Sequence, residues 1–332
     1  MGCNVARECE IGPDPLGDTA MFWESIRQRA EAVLEMRGQL GGVSRLCPAK
    51  GVADDVTKLV VTSRDGRRVA VLRISPAAFP EAVAGDAEAA ERVRELLGDE
   101  LGRVILSPLL TGEVNGRVFA MLPYCGPLSG SRLGWAMQRR WLGPTILNWL
   151  GRMTAATLRE ASEDQVETDF RLPLEFTAAN ERLGEPIRQE ASKALRLLSQ
   201  GLWQPRYVLA HNDLWKDNIL LRRGMLSFGR SSGEFGAFAV IDWGASMLKG
   251  HAIYDLMRLG QSLRLSQRRA RAELHRHCQI LGTNVAGAKA YLLAALGHLG
   301  MHLDQFPVAS YVACAEACCG MLFGMESTDG GH

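Results

Sequence analysis

Beyond about Gly126 the sequence is patterned for helices, and only two short apolar strand candidates interrupt it, residues 207–210 and 237–241. Each runs directly into polar residues, the first into His211, Asp213 and Asn218, the second into Asp242. Short apolar runs bounded by polar residues are the pattern of buried strands. Helical periodicity covers residues 143–160, 178–200, 254–265, 267–281 and most of 286–325. Residues 222–236, with Arg230-Ser231-Ser232-Gly233, read as a flexible hairpin tip between the two strands.

The first third has a different texture. Phe22, Ile26, Val33 and Leu34 fall at helical spacing within residues 18–37. After Gly41-Gly42, two β-branched runs, 56–63 and 67–74, flank the turn signal Arg64-Asp65-Gly66. Pro80 opens a helical run through Leu97, and a second strand pair, 103–110 and 117–122, is joined across Val114-Asn115-Gly116. The order is two strands, a helix and two strands, followed by helices. This is an α+β chain, and its 332 residues suffice for two lobes.

Charge excludes some partners. Lys plus Arg number 38 and Asp plus Glu 37, a formal charge of +1, so nothing here argues for a nucleic-acid partner or an anionic membrane surface. No stretch of about 18 apolar residues runs uninterrupted, and Met1-Gly2-Cys3 is followed by Ala6 where the lipidation pattern wants Ser or Thr. The eight cysteines lack paired C-x-x-C spacing and read as reduced thiols of a cytoplasmic protein. Cys314 with Cys318, and His275 with Cys278, bring too few further ligands to specify a metal and are expected to be packing residues.

The chemistry lies in Asp213, Asn218 and Asp242. Phosphoryl transfer needs one carboxylate to orient the attacking hydroxyl and accept its proton, and hard oxygen ligands to hold magnesium on the phosphates. The order Asp, Asn, Asp between apolar strands supplies both. His211, Asp213 and Asn218 resemble, position for position, the H-x-D-x-x-x-x-N catalytic loop of the aminoglycoside phosphotransferase and choline kinase branch of the protein-kinase-like superfamily. Asp242-Trp243 resembles that branch's metal-binding Asp. Gly250-His251-Ala252-Ile253-Tyr254-Asp255-Leu256 resembles its G-D-P-x-x-D-L segment, with His251 in place of the usual Asp. The resemblance implies that Asp213 is the catalytic base, that Asn218 and Asp242 ligate Mg2+, and that His211 and Asp255 brace the loop. It also implies a bilobal kinase-like fold, with a small antiparallel N-lobe over residues 1–122 and a hinge and larger helical C-lobe over 123–332.

The resemblance extends to the N-terminal half. Arg73, in Val71-Leu72-Arg73-Ile74, stands where a kinase strand lysine contacts nucleotide phosphates and pairs with a helix glutamate. Glu91 is the expected partner, with Glu88 and Glu95 as rivals on neighbouring turns. Residues 118–122 followed by Pro123-Tyr124 are similar to the hinge; with Met121 gating the pocket, the Leu122 carbonyl and the Tyr124 N–H would face adenine. Gly41-Gly42-Val43-Ser44 stands at the start of the phosphate-covering loop or is simply a glycine turn. The acidic group Glu160, Glu163, Asp164, Glu167 and Asp169 would suit a cationic acceptor if it lined the cleft, and is otherwise surface.

The function implied is an ATP- and Mg2+-dependent phosphotransferase acting on a hydroxyl of a small molecule such as an amino sugar or amino alcohol. The alternative is a nucleotide-binding pseudokinase serving as an interaction module, which Arg73 and the weak glycine loop favour and the intact Asp213, Asn218 and Asp242 oppose.

Overall fold

The computed structural model describes residues 16–47, 55–222, 235–303 and 306–325. The chain divides into two compact units, residues up to Gln138 with Ile219–Gly244, and Arg139–Asn218 with the residues from Ala245 onward. Ile219–Gly244, which follows the loop of Asp213 and Asn218, packs with the N-terminal residues.

The first unit begins with α1 (Leu16–Val33) and is built on a five-stranded sheet of β1 (Leu40–Arg45), β2 (Thr57–Ser63), β3 (Arg68–Ile74), β4 (Leu110–Val114) and β5 (Arg117–Pro123). The order is β1-β2-β3-β5-β4, every neighbour antiparallel. Both predicted turns form for the expected reason. Gly66 takes φ +79° after Arg64-Asp65, and Asn115 and Gly116 take φ +50° and +70°. The latter is the geometry of a two-residue hairpin loop, which glycine adopts without strain. That loop sets Val114 opposite Arg117, so β4 counts back only to Leu110. The strand expected over 103–110 is therefore a 3-10 turn at Gly102–Val104 and an extended stretch whose Ile105 bridges Val240.

Strand alternation sorts the sheet's two faces. Ala70, Leu72 and Ile74 of β3 and Phe119 and Met121 of β5 pack with Phe22, Trp23 and Ile26 of α1 in one core cluster. Arg73 and the β5 residues Ala120 and Leu122 lie on the other face, toward α2 (Glu81–Leu101), which Pro80 opens and Gly98 (φ +66°) breaks. A smaller antiparallel sheet joins β6 (Gly126–Pro127), β9 (Ile219–Leu221) and β10 (Phe238–Val240). Residues 223–234 of the expected hairpin tip lie outside the described residues.

The second unit is mainly helical. It holds most of α3 (Arg132–Thr157), then α4 (Glu163–Val166), α5 (Leu172–Ala179), α6 (Glu185–Ser199), α7 (Tyr254–Ser262), α8 (Gln267–Leu281), α9 (Val285–Met301) and α10 (Val308–Phe323). Helix α3 starts eleven residues before the expected position and carries Pro144 inside it. Proline costs a helix one hydrogen bond, and burial of Leu142, Ile146, Trp149 and Leu150 offsets the loss. The one sheet here is β7 (Arg159–Glu160), β8 (Arg206–Ala210) and β11 (Met247–Gly250), with β8 central and buried from Tyr207 onward. Among the described residues no single helix is long and apolar enough to cross a membrane.

Candidate active site

Strand β8 ends at Ala210, and the loop that follows is gripped by its own side chains and by α7. The Asp255 carboxylate accepts the backbone N–H of His211 at 2.6 Å and of Asn212 at 3.0 Å. Two bonds from one carboxylate fix the loop's entry, where Asn212 holds φ +64° and its side-chain amide donates to the Ala245 carbonyl. Such left-handed backbone costs a non-glycine residue about 1–3 kcal/mol and persists only where neighbours impose it. His211 is fully buried, and its Nδ1 accepts the Asp213 N–H at 3.3 Å. Burial pushes the Asp255 carboxyl above its ordinary range, and the nearby His211 and the two backbone N–H bonds pull it back.

Asn218 closes the loop on itself. Its Nδ2 donates to both the carbonyl and the carboxylate Oδ2 of Asp213, each at 2.9 Å. An amide has two donors on nitrogen and acceptor capacity on oxygen, so committing Nδ2 to Asp213 turns Oδ1 away from it. The Asp213 side chain is about half exposed.

In the first unit, Asp242 follows β10 with φ +62°. Arg73, 12% exposed, pairs with Asp86 on α2, and its Nη1 lies 3.7 Å from Asp242 Oδ1. Asp86 also accepts the Gly244 N–H at 2.9 Å, which pins the Asp242-Trp243-Gly244 turn to α2. The expected pairing of Arg73 with Glu91 is thereby corrected. Glu91 lies more than a turn further along α2 and pairs with Arg94 at 2.9 Å, also accepting from Ser107. Neither Glu88 nor Glu95 replaces it: Glu88 faces Arg92, and Asp86 holds the position. Sequence reading missed Asp86 because it sought a glutamate. The available signal was reach, since arginine is longer than lysine and calls for a shorter acid.

The Leu122 carbonyl and the Tyr124 N–H, expected to face adenine, are both turned to β3. The Tyr124 N–H donates to the Val69 carbonyl at 3.1 Å, and Leu122 pairs with Val71 in the same ladder. By antiparallel alternation the Leu122 carbonyl also points to β3, so both groups proposed to face adenine are consumed by the sheet. By the same alternation the Pro123 carbonyl points away from β3. Met121 belongs to the α1 core, and the Leu122 side chain lines the cavity beside Arg73.

That cavity, lined among others by Arg73, Asp86, Leu106, Leu122, Ile241 and Asp242, is apolar at one end and charged at the other. Its apolar end continues into a cluster of Leu106, Cys125, Ala239, Leu122, Leu220 and Ile241. The charged end is formed by Arg73, Asp86 and Asp242. The Nε of Arg73, buried and without a hydrogen-bond partner, is a donor that a phosphate oxygen would satisfy. Each unit carries a hard oxygen donor of the kind a metal takes, the Asp242 carboxylate in the first and the Asn218 amide oxygen in the second. No group of three or more His, Cys, Asp or Glu gathers among the described residues. Magnesium suits such a sparse set of hard oxygens, because it keeps waters and phosphate oxygens as its remaining ligands.

The remaining motifs fall into place as structure. Gly41 lies where a Cβ would meet the Ser63 carbonyl at 3.0 Å, at an irregularity in the β1–β2 register. Gly41 thus serves strand contact, and residues 48–54 beyond it lie outside the described residues. The acidic group is surface and cap chemistry. Glu160 sits opposite Arg206 at the start of β8, the end remote from Asp213, Glu163 and Asp164 begin α4, and Glu167 pairs with Arg171. Asp169 accepts the Tyr207 hydroxyl at 2.5 Å. His251 donates Nε2–H to the Asp169 carbonyl at 2.6 Å and packs edge-on against Phe170. Cys278, Cys314, Cys318 and Cys319 are buried packing residues.

One unit thus holds a loop carboxylate clamped by an amide, and the other a carboxylate set near a buried arginine. The chain belongs to the APH phosphotransferase enzyme family, whose model matches residues 46–291. It is accordingly a small-molecule kinase of the protein-kinase-like aminoglycoside phosphotransferase and choline kinase branch. Among solved structures it is similar to a thermostable mutant of aminoglycoside phosphotransferase APH(4)-Ia, at 14% identity and TM-score 0.49, over 90% of this chain and 100% of that one. It is also similar to choline kinase LicA from Streptococcus pneumoniae, at 12% identity and TM-score 0.48 over 91% and 99%. A choline/ethanolamine kinase family protein from Mesorhizobium loti follows at 16% identity and TM-score 0.45 over 92% and 95%. No curated protein matches the chain significantly in sequence.

Proposed function

We propose that the chain uses ATP and magnesium to phosphorylate a hydroxyl of a small molecule, an amino sugar, an amino alcohol or a related metabolite. Magnesium-bound ATP would supply the transferable γ-phosphoryl group with its charge partly neutralised. Asp213 orients the acceptor hydroxyl and takes its proton, the amide clamp from Asn218 keeping the carboxylate's aim. Asn218 Oδ1 and the Asp242 carboxylate are the metal's protein ligands. Arg73 meets phosphate oxygens from β3, while Asp86 keeps its guanidinium in place. The apolar surface of Leu106, Leu122 and Ile241 receives the base.

The observation that carries this reading is the pair of hydrogen bonds from Asn218 Nδ2 to Asp213, which joins the proposed base and a proposed metal ligand in one piece. Burial of Arg73 against Asp86 and Asp242 supports the enzyme over the pseudokinase, which an arginine in place of the strand lysine and the weak glycine loop favoured. The test is a screen for ADP formation from ATP and magnesium across amino sugars, amino alcohols and other metabolites. Stimulation by at least one acceptor is expected. Nucleotide binding without stimulation by any acceptor would favour the interaction module.

A further inference from the structure

One face of α7 presents three polar side chains at i, i+3 and i+7, and each meets a successive part of the loop after β8. Asp255 takes the N–H groups of His211 and Asn212; Arg258 Nη2 lies 3.8 Å from Asp213 Oδ1; the Ser262 hydroxyl accepts the Lys216 N–H at 2.6 Å. Residues at this spacing share a helix face, so the helix follows the loop along its length.

The two oxygens of Asp213 thus have different holders. Asn218 bonds Oδ2, and Arg258 stands at Oδ1, at ion-pair rather than hydrogen-bond distance. An aspartate about half exposed keeps one carboxylate orientation only while both its oxygens are held. Leu214 and Trp215 come next in the loop, and the Lys216 ammonium lies 3.5 Å from Asp217. Arg258 is the better placed group, 26% exposed and backed by the buried Tyr254 and Cys314.

We infer that Arg258 is a positioning residue, which holds Asp213 Oδ1 so that the acceptor hydroxyl meets a carboxylate of fixed orientation. The inference rests on the proposed role of Asp213. Lysine would keep the charge but not the planar fork or its reach, and alanine would remove both.

The experiment compares wild type, Arg258→Lys and Arg258→Ala for MgATP turnover with water as acceptor. Arg258→Ala should lower kcat about 10- to 100-fold, a share of what an oriented acid–base group contributes, with KM for MgATP within about twofold of wild type. Arg258→Lys should fall between, and added methylguanidine should restore part of the Arg258→Ala rate, which a merely structural role would not allow. An active wild type with Arg258→Ala turning over at the same rate overturns the inference and leaves the proposed function standing. A wild type that consumes no MgATP with water is assayed with the acceptors of the screen, and consumption with none of them removes the proposed function instead. The pair is then tested by a double-mutant cycle of Arg258→Ala and Asp213→Asn on Tm, where a non-additive shift supports the contact and strict additivity overturns it.

Discussion

At Arg73 a guanidinium touches Asp86 while standing near Asp242, and Asp86 in turn holds the Gly244 N–H. Kinase-type lobes more often use lysine with glutamate here, and the longer cation with the shorter acid spans a comparable gap. Arg73→Lys should therefore leave a gap that Asp86→Glu refills. We expect each single variant to weaken MgATP binding about tenfold, and the double variant to bind better than their product implies. Nucleotide titration of the three proteins checks this; simple additivity would mean the two side chains act apart. Asp242→Ala should abolish the magnesium dependence of nucleotide binding, since a lost carboxylate leaves the phosphates' charge poorly neutralised. Titration with ATP, with and without magnesium, reads it directly.

At the level of elements, β5 decides the hinge by alternation. Met121 faces the α1 core and Leu122 faces the cavity, so neighbouring residues should fail in different ways. Met121→Ala should cost about 2–4 kcal/mol of stability through the cavity it leaves and change nucleotide affinity little. Leu122→Trp should block nucleotide binding while shifting stability less. Thermal unfolding paired with nucleotide titration separates the two; the reverse pattern would restore Met121 as the gate. What was legible in sequence follows the same physics. The two buried strands and their polar ends were readable because apolar runs and the Asp, Asn, Asp order are local signals. So were the Gly66 and Asn115-Gly116 turns, since positive φ selects residue type. The face on which Met121 points was not, because β5 is apolar on both faces and only its register with β3 decides. Asp86 and Arg258 were missed for a related reason. Each is an ordinary helical charge until a partner distant in sequence, Arg73 or Asp213, comes within reach.

For the molecule as a whole, buried histidines set an acid limit. Burial lowers His251 and His277 each to about 4 from 6.5, and both are neutral donors to backbone carbonyls. Between these values the unfolded chain binds more protons than the folded one, so stability is fully present above about pH 6.5 and is lost as pH falls toward 4. Asp255, raised by burial, acts in the opposite sense. The histidines being two, unfolding free energy should drop by on the order of 3 kcal/mol between pH 7 and 4.5, and denaturant titrations across that range would show it. A flat profile would mean that neither histidine is held neutral. The central claim, that Asp213 serves phosphoryl transfer and not folding, is tested most directly by one variant. Asp213→Asn should keep wild-type Tm and MgATP affinity and lose about 100- to 10,000-fold in kcat, measured with the best acceptor from the screen. Near-normal turnover in Asp213→Asn would contradict it.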